Sequence, residues 1–151
     1  MGITAKTGDD GYTDLLDGKR LRKDHPLIEC LGTLDELNAF LGDAKAALGV
    51  CPSSDIISGI QKDLSSIMGA LAGGSVPAVS VPALESSLPP LTAFAVPGEN
   101  AASAKLHIAR AVCRRAERRL TALGLTNETK AVLPYINRLS NLLFLLARKV
   151  V

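Results

Sequence analysis

Arg110-Ala-Val-Cys-Arg-Arg-Ala-Glu-Arg-Arg119 packs five arginines and one glutamate into ten residues. Leu106, Ala109, Val112, Cys113, Ala116, Leu120 and Leu123 recur around it at helical spacing, so the stretch reads as the middle of a helix from about Ala102 to Leu123. At 100° per residue, Arg110, Arg114, Glu117 and Arg118 fall within about 100° of one another and form one face. Like charges one turn apart destabilise an isolated helix by roughly a few tenths of a kcal/mol, so such a stripe favours anions against it. Two occupants remain open: an anionic ligand or partner, or solvent with Glu117 paired to a neighbour.

On the carboxyl side, Gly124 and Asn127 suggest a turn. A last helix is expected from Thr129 or Ala131 to the end, with Pro134 near its first turn. Leu139, Leu142, Leu143, Leu145, Leu146 and Val150 make it apolar over much of its circumference, while Asn137, Ser140 and Asn141 cluster on one side. On the amino side, Ser75 to Pro97 holds five of the eight prolines and reads as a connection with at most a short helical piece at Ala83–Leu88. Phe94 is a lone aromatic there, just before an N-cap at Asn100 or Ser103.

Two further helices precede the connection. Asp24-His-Pro26 opens one that runs to about Leu48, because Asp is a good N-cap and Pro is favoured in the first turn. Leu27, Leu31, Leu34, Leu37 and Leu41 form its stripe, interrupted by Asp35 and Glu36. Such acids belong either to the edge of a solvated face or to an ion pair with an arginine of another helix or subunit. Asp55 is expected to cap the second, whose Ile56, Ile57, Ile60, Leu64, Ile67, Met68 and Leu71 end at Gly73-Gly74. With no period-2 strands and no internal repeat, the pattern predicts an all-α, up-and-down bundle of four to five helices. It would form a single domain over residues 1–151, with residues 1–23 as an amino-terminal loop and 24–151 as the bundle.

The chain of 151 residues is long enough to bury a real core, and its net charge is only +2. Low charge and 3% aromatic residues argue against a basic nucleic-acid module. No apolar run reaches the ~18 residues of a membrane span and no secretory signal pattern opens the chain, so a cytoplasmic protein off the membrane is expected. Cys30, Cys51 and Cys113 lack CxxC spacing and read as small buried hydrophobes.

Lys6-Thr-Gly-Asp-Asp-Gly11 has the composition of a tight loop with exposed amides, and Lys19, Arg20, Arg22 and Lys23 follow it. Without GxxxxGK[ST] it is no Walker A loop. This loop, the basic run ending at Lys23, and the arginine face with Asn137 together suit a polyphosphate, since bidentate guanidinium contacts are strong clamps for phosphate. No nucleophile with a base accompanies them. His25 reads as part of a helix start and His107 as a helix-surface residue, and metal-ligand spacing is absent. A triphosphate clamp without a nucleophile implies that the cosubstrate attacks.

Thr7-Gly-Asp-Asp-Gly11, Lys23-Asp24, Gly32-Thr-Leu-Asp-Glu-Leu-Asn38, Phe94-Ala-Val-Pro-Gly98, His107 with Arg110-Ala-Val-Cys-Arg-Arg-Ala-Glu-Arg118, and Tyr135-Ile-Asn-Arg-Leu-Ser140 with Leu143-Phe144 resemble the trimeric, PduO-type ATP:cob(I)alamin adenosyltransferases. Ala5 and Asn141 depart from the family's usual hydroxyl and aspartate. The resemblance implies a homotrimer of helix bundles with ATP and cob(I)alamin bound between subunits. It also implies transfer of the 5′-deoxyadenosyl group to cobalt with release of triphosphate. By position it implies that Lys6, Thr7, Gly8, Thr13, Lys23, Arg114, Arg115, Glu117, Arg118 and Asn137 bind ATP. Mg²⁺ would be carried on the phosphates, with no protein metal ligands. Phe94 would pack beneath the corrin, and Asp35 and Arg110 would join two subunits, making Arg114, Phe94, Asp35 and Arg110 the catalytic set. A corrinoid reductase or an adenosylcobalamin-dependent enzyme would be the macromolecular partner. The alternative is a nucleotide sensor or partner-binding bundle that has lost the transfer.

Overall fold

The structure is a computed structural model that describes residues 6–82 and 96–150. The helical piece expected at Ala83–Leu88, Phe94 and Ala5 lie outside these residues. The elements in chain order are β1 (Tyr12–Asp14), β2 (Arg20–Arg22), α1 (Pro26–Leu48), α2 (Pro52–Leu71), α3 (Ala101–Ala122) and α4 (Asn127–Lys149).

The four helices pack as a square in which α1 meets α2 and α3, α3 meets α4, and α2 meets α4. Lys45 Nζ bonds Gln61 Oε1 at 3.0 Å, Lys105 Nζ meets Asp43 at 2.5 Å, and Tyr135 Oη donates to Asp63 at 2.9 Å. The short connections at 49–51 and 123–126 make α1/α2 and α3/α4 antiparallel, and the ion pairs Glu29–Arg119, Glu36–Arg115 and Asp43–Lys105 make α1/α3 so, as an up-and-down bundle requires. After α2, Val79 and Val81 pack against the core.

The core is built from the predicted stripes, with Ile136 of α4 added to them. Leu34, Leu37 and Leu41 of α1, Ile57, Ile60, Leu64 and Ile67 of α2, Leu106 and Leu120 of α3, and Ile136, Leu139 and Leu143 of α4 are all fully buried. Burial of each such side chain stabilises the fold by about 1.5–3 kcal/mol, which makes these stripes the main force holding the helices together.

Several local expectations need correction. Asp24 does not cap α1: it forms a two-point ion pair with Arg22, at 2.9 and 2.7 Å, and His25 Nδ1 accepts the Leu27 amide instead. Pro26 does occupy the first turn, where its missing N–H costs nothing. Cys51, not Asp55, is the N-cap of α2, and Ser54 Oγ returns to accept the Cys51 amide at 3.1 Å. Asp55 sits in the first turn, where a negative charge suits the helix dipole. Cys51 is consequently only half-buried, whereas Cys30 and Cys113 are buried. Helix α4 starts earlier than expected, because Thr126 and Thr129 form a reciprocal cap. Pro134 thus lies inside it, tolerated on the exposed side where the carbonyl left without a donor can meet water.

The sequence pattern also missed a sheet. β1 and β2 pair antiparallel with Thr13 opposite Leu21, closed by a turn in which Gly18 adopts φ 82° and Leu15 N donates to Lys19 O at 2.8 Å. Strands of three residues are too short to register as alternation, although Asp17-Gly18 is a hairpin-turn pair. The hairpin is fixed to the end of α2, where Leu16 N donates to Ala72 O at 3.0 Å. A Cβ on Gly73 would lie 2.6 Å from Asp17 Cβ, so only glycine permits this approach.

Candidate functional site

The amino-terminal loop is two successive turns, with Asp9 N donating to Lys6 O and Gly11 N to Gly8 O. Lys6 and Gly11 adopt positive φ, 54° and 83°. Arg20 holds the loop in shape, donating to Thr7 O at 2.9 Å, Asp10 at 2.7 Å and Asp14 at 3.1 Å. The Arg20 guanidinium and the Tyr12 amide hold the Asp10 carboxyl below its ordinary range. Lys23 N donates to Gly11 O at 2.9 Å, and its ammonium lies over Gly8, where an added Cβ would come within 3.0 Å of Nζ. The fold therefore brings Thr7, Gly8 and Lys23 together in an exposed loop whose Lys23 ammonium has no ion pair among the described residues, a chemistry that suits an anion.

Thr13 and Asp35 share a different feature, an open cleft of about 480 Å³ between the hairpin, α1 and α2. Its walls include Leu15, Leu31, Gly32 and Met68. Asp35 is exposed and has no ion pair among the described residues. Its neighbour Glu36 pairs with Arg115.

On α3, Arg110, Arg114 and Arg118 have no carboxylate within ion-pairing distance among the described residues. Among the described residues the Arg118 guanidinium donates to Arg114 O, at 3.0 Å. Arg110 lies over the Phe144 ring, 5.9 Å from its centroid, with a buried Nε that has no acceptor among the described residues. Cys113 Sγ donates to Ile136 O at 3.4 Å, an α3/α4 contact adjacent in sequence to Arg114 and to Asn137. Glu117 is partly buried on the same helix, and Asn137 is exposed. No hydrogen bond or ion pair among the described residues joins this face to the loop at Lys6–Gly11.

His107 is not a surface residue. It is 6% exposed, its ring stands edge-on to Phe144 at 6.0 Å, and its Nδ1 is buried without a partner among the described residues. Burial first, then Arg110, pushes its pKa down, which favours the neutral ring. Burial likewise pushes the thiols of Cys30 and Cys113 up, to about 11 and about 12, which makes neither a nucleophile. Among the described residues no three His, Cys, Asp or Glu side chains cluster to hold a metal. None of the described helices is long and apolar enough to cross a membrane.

Sequence reasoning gave Phe144 no role, although it braces His107, Arg110 and, at 6.0 Å, Arg148. It also overlooked that Glu29, Glu36 and Asp43 recur every seven residues on α1 and meet Arg119, Arg115 and Lys105 of α3. That signal was readable, given an antiparallel pairing of the two helices.

The described residues thus combine an arginine face on one helix that meets no carboxylate among them with a tight loop at Lys6–Gly11 beside the Lys23 ammonium, on a four-helix bundle. Residues 3–150 match the family described as cobalamin adenosyltransferase, and the chain belongs to that family. The chain is 39% identical over 165 residues to the corrinoid adenosyltransferase PduO of Citrobacter freundii, covering 98% of this chain and 49% of that one. Human corrinoid adenosyltransferase MMAB is 38% identical over 168 residues, with 97% of this chain and 67% of that one covered. Thus the chain spans about half the length of the PduO relatives. Among solved structures, a phenylalanine-to-alanine variant of a PduO-type ATP:corrinoid adenosyltransferase from Lactobacillus reuteri, complexed with cobalamin and ATP, superposes with TM-score 0.79. That chain is 28% identical, and the match covers 97% of this chain and 92% of that one.

Proposed function

We propose that this chain transfers the 5′-deoxyadenosyl group of ATP to the cobalt of cob(I)alamin, giving adenosylcobalamin and inorganic triphosphate. The observation that carries this reading is the α3 face, three guanidiniums without a carboxylate among the described residues, in a chain of this family. ATP would be held by Lys6, Thr7, Gly8 and Lys23 at the loop, by Thr13, and by Arg114, Glu117, Arg118 and Asn137. That no hydrogen bond or ion pair among the described residues joins the loop to the arginine face supports a site completed between copies, as do an exposed Asp35 and a half-buried Arg110 that each have no ion pair among those residues. A homotrimer in which Asp35 of one copy meets Arg110 of the next would join the two halves.

In the reaction the cob(I)alamin cobalt donates its electron pair to C5′ of ATP. The Co–C bond forms, the C5′–O bond breaks with its electrons going to triphosphate, and cobalt ends as Co(III). The protein supplies no nucleophile. Its task is to orient the ribose carbon and stabilise the charge developing on the leaving triphosphate, for which Arg114 and Arg118 are placed. Mg²⁺, carried on the phosphates, would supply further charge neutralisation. Phe94 would pack beneath the corrin and displace the lower axial ligand, easing reduction of cobalt before the transfer. A corrinoid reductase would then supply the electron.

Isothermal titration with ATP and with cobalamin tests this reading. Binding of both supports it, whereas binding of ATP with no binding of cobalamin would favour a nucleotide sensor.

A further inference from the structure

Helix α3 carries two basic stripes. At 100° per residue, Lys105, Arg115 and Arg119 span about 80°, Arg110, Arg114 and Arg118 span about 80°, and the stripe centres lie about 140° apart. The first stripe is fully used inside the chain: Lys105 meets Asp43 at 2.5 Å, Arg115 meets Glu36, and Arg119 meets Glu29 at 3.5 Å. The acids stand at positions 29, 36 and 43 of α1, the seven-residue repeat that keeps one flank of a helix facing its neighbour along its length. The second stripe is the one left without carboxylates among the described residues. A single helix thus separates cations that are spent from cations that are available.

We propose that Arg115 is a positioning residue rather than a ligand of the triphosphate. Together with Glu36 it fixes the rotation of α3 about its own axis, and so sets where Arg114 and Arg118 point. Flanking ion pairs of this kind set orientation between packed helices more than they add stability. These pairs are about half exposed, so their contribution to stability is small. Orientation is another matter, because a roll of α3 displaces both phosphate-facing guanidiniums together. This inference rests on the proposed ATP site and assigns Glu36, which no ligand contact requires, a part in it.

The test compares Glu36→Gln, Arg115→Gln and the exchange Glu36→Arg with Arg115→Glu. Each is measured by ATP titration, by the ATP KM and kcat of adenosyl transfer, and by thermal melting. The two single variants should raise the ATP KM by the same factor, about three- to tenfold, with kcat changed less than about twofold, as misplacement of a binding group predicts. The exchange should restore the KM, since it rebuilds the pair. If Arg115→Gln weakens ATP far more than Glu36→Gln, or if the exchange recovers melting but not ATP affinity, Arg115 touches phosphate and the proposal fails. Unchanged KM in both single variants, with only melting lowered, also overturns it. An unmodified chain that binds no ATP removes the underlying site itself, a result distinct from these.

Discussion

Arg110 stacks its guanidinium over Phe144 at 5.9 Å while its Nε is buried with no acceptor among the described residues, so the ring braces a charge that nothing described in the chain neutralises. A half-buried, unneutralised arginine is costly unless a carboxylate arrives from outside. Asp35, exposed at the rim of the α1/α2 cleft, is the acid proposed to arrive from a second copy.

Sedimentation should therefore find a trimer for the unmodified chain. Arg110→Ala or Asp35→Ala should shift it toward smaller species, since breaking one partner of a buried pair costs about 3–5 kcal/mol. Exchanging the two charges should restore the trimer. A stable monomer of the unmodified chain would end the idea.

Arg114 and Arg118 stand one turn apart on the open face and can grip adjacent phosphates. Replacing Arg114 with Ala should weaken ATP binding by about 1.5–3 kcal/mol, the scale of a charged hydrogen bond. Calorimetry that returns the same ATP dissociation constant counts against the site.

His107 gives a pH dependence. Its folded-state pKa is lowered from 6.5 by burial and by Arg110, so the unfolded chain binds the proton more readily. Stability from the neutral ring is complete above the ordinary histidine pKa and is lost as pH falls from there toward the lowered folded value. The charged groups acting on the ring are Arg110 on its own helix, which pushes the pKa further down, and Glu99, just before α3, which opposes it. The melting temperature should drop as pH goes from 7 to 5, and His107→Gln should flatten that part of the drop. An identical pH profile in the variant would place the effect elsewhere.

Tyr135 joins α4 to α2 by donating to Asp63 at 2.9 Å, and burial of the hydroxyl, then this bond, pushes its pKa up. Tyr135→Phe should cost about 1–3 kcal/mol, because it leaves a partly buried carboxylate without its donor. Urea unfolding reads this directly, and a loss below a few tenths would mean that water replaces the hydroxyl without penalty.

The four helices were legible because Leu, Ile and Ala recur at helical spacing over lengths of 20 residues or more. Their ends were less so, since caps depend on backbone geometry: Asp24 lost its cap position to His25 when Arg22 claimed its carboxylate. The hairpin was invisible as alternation but had a turn signal in Asp17-Gly18. At the site, residue types and order pointed to the tight loop at Lys6–Gly11 and to the arginine face of α3. What they could not reveal was which arginines are already neutralised, because the partners Glu29, Glu36 and Asp43 lie some 60 to 90 positions away in the chain. The burial of His107 was hidden for the same reason, since Phe144 comes from another helix.

The central claim is adenosyl transfer to reduced corrinoid, and an absorption spectrum followed while cob(I)alamin and MgATP are mixed with the protein under strict exclusion of oxygen tests it most directly. The account predicts that the cob(I)alamin spectrum gives way to that of adenosylcobalamin, with one inorganic triphosphate released per cobalt alkylated. Persistence of the cob(I)alamin spectrum beside folded protein that binds both ligands would contradict it.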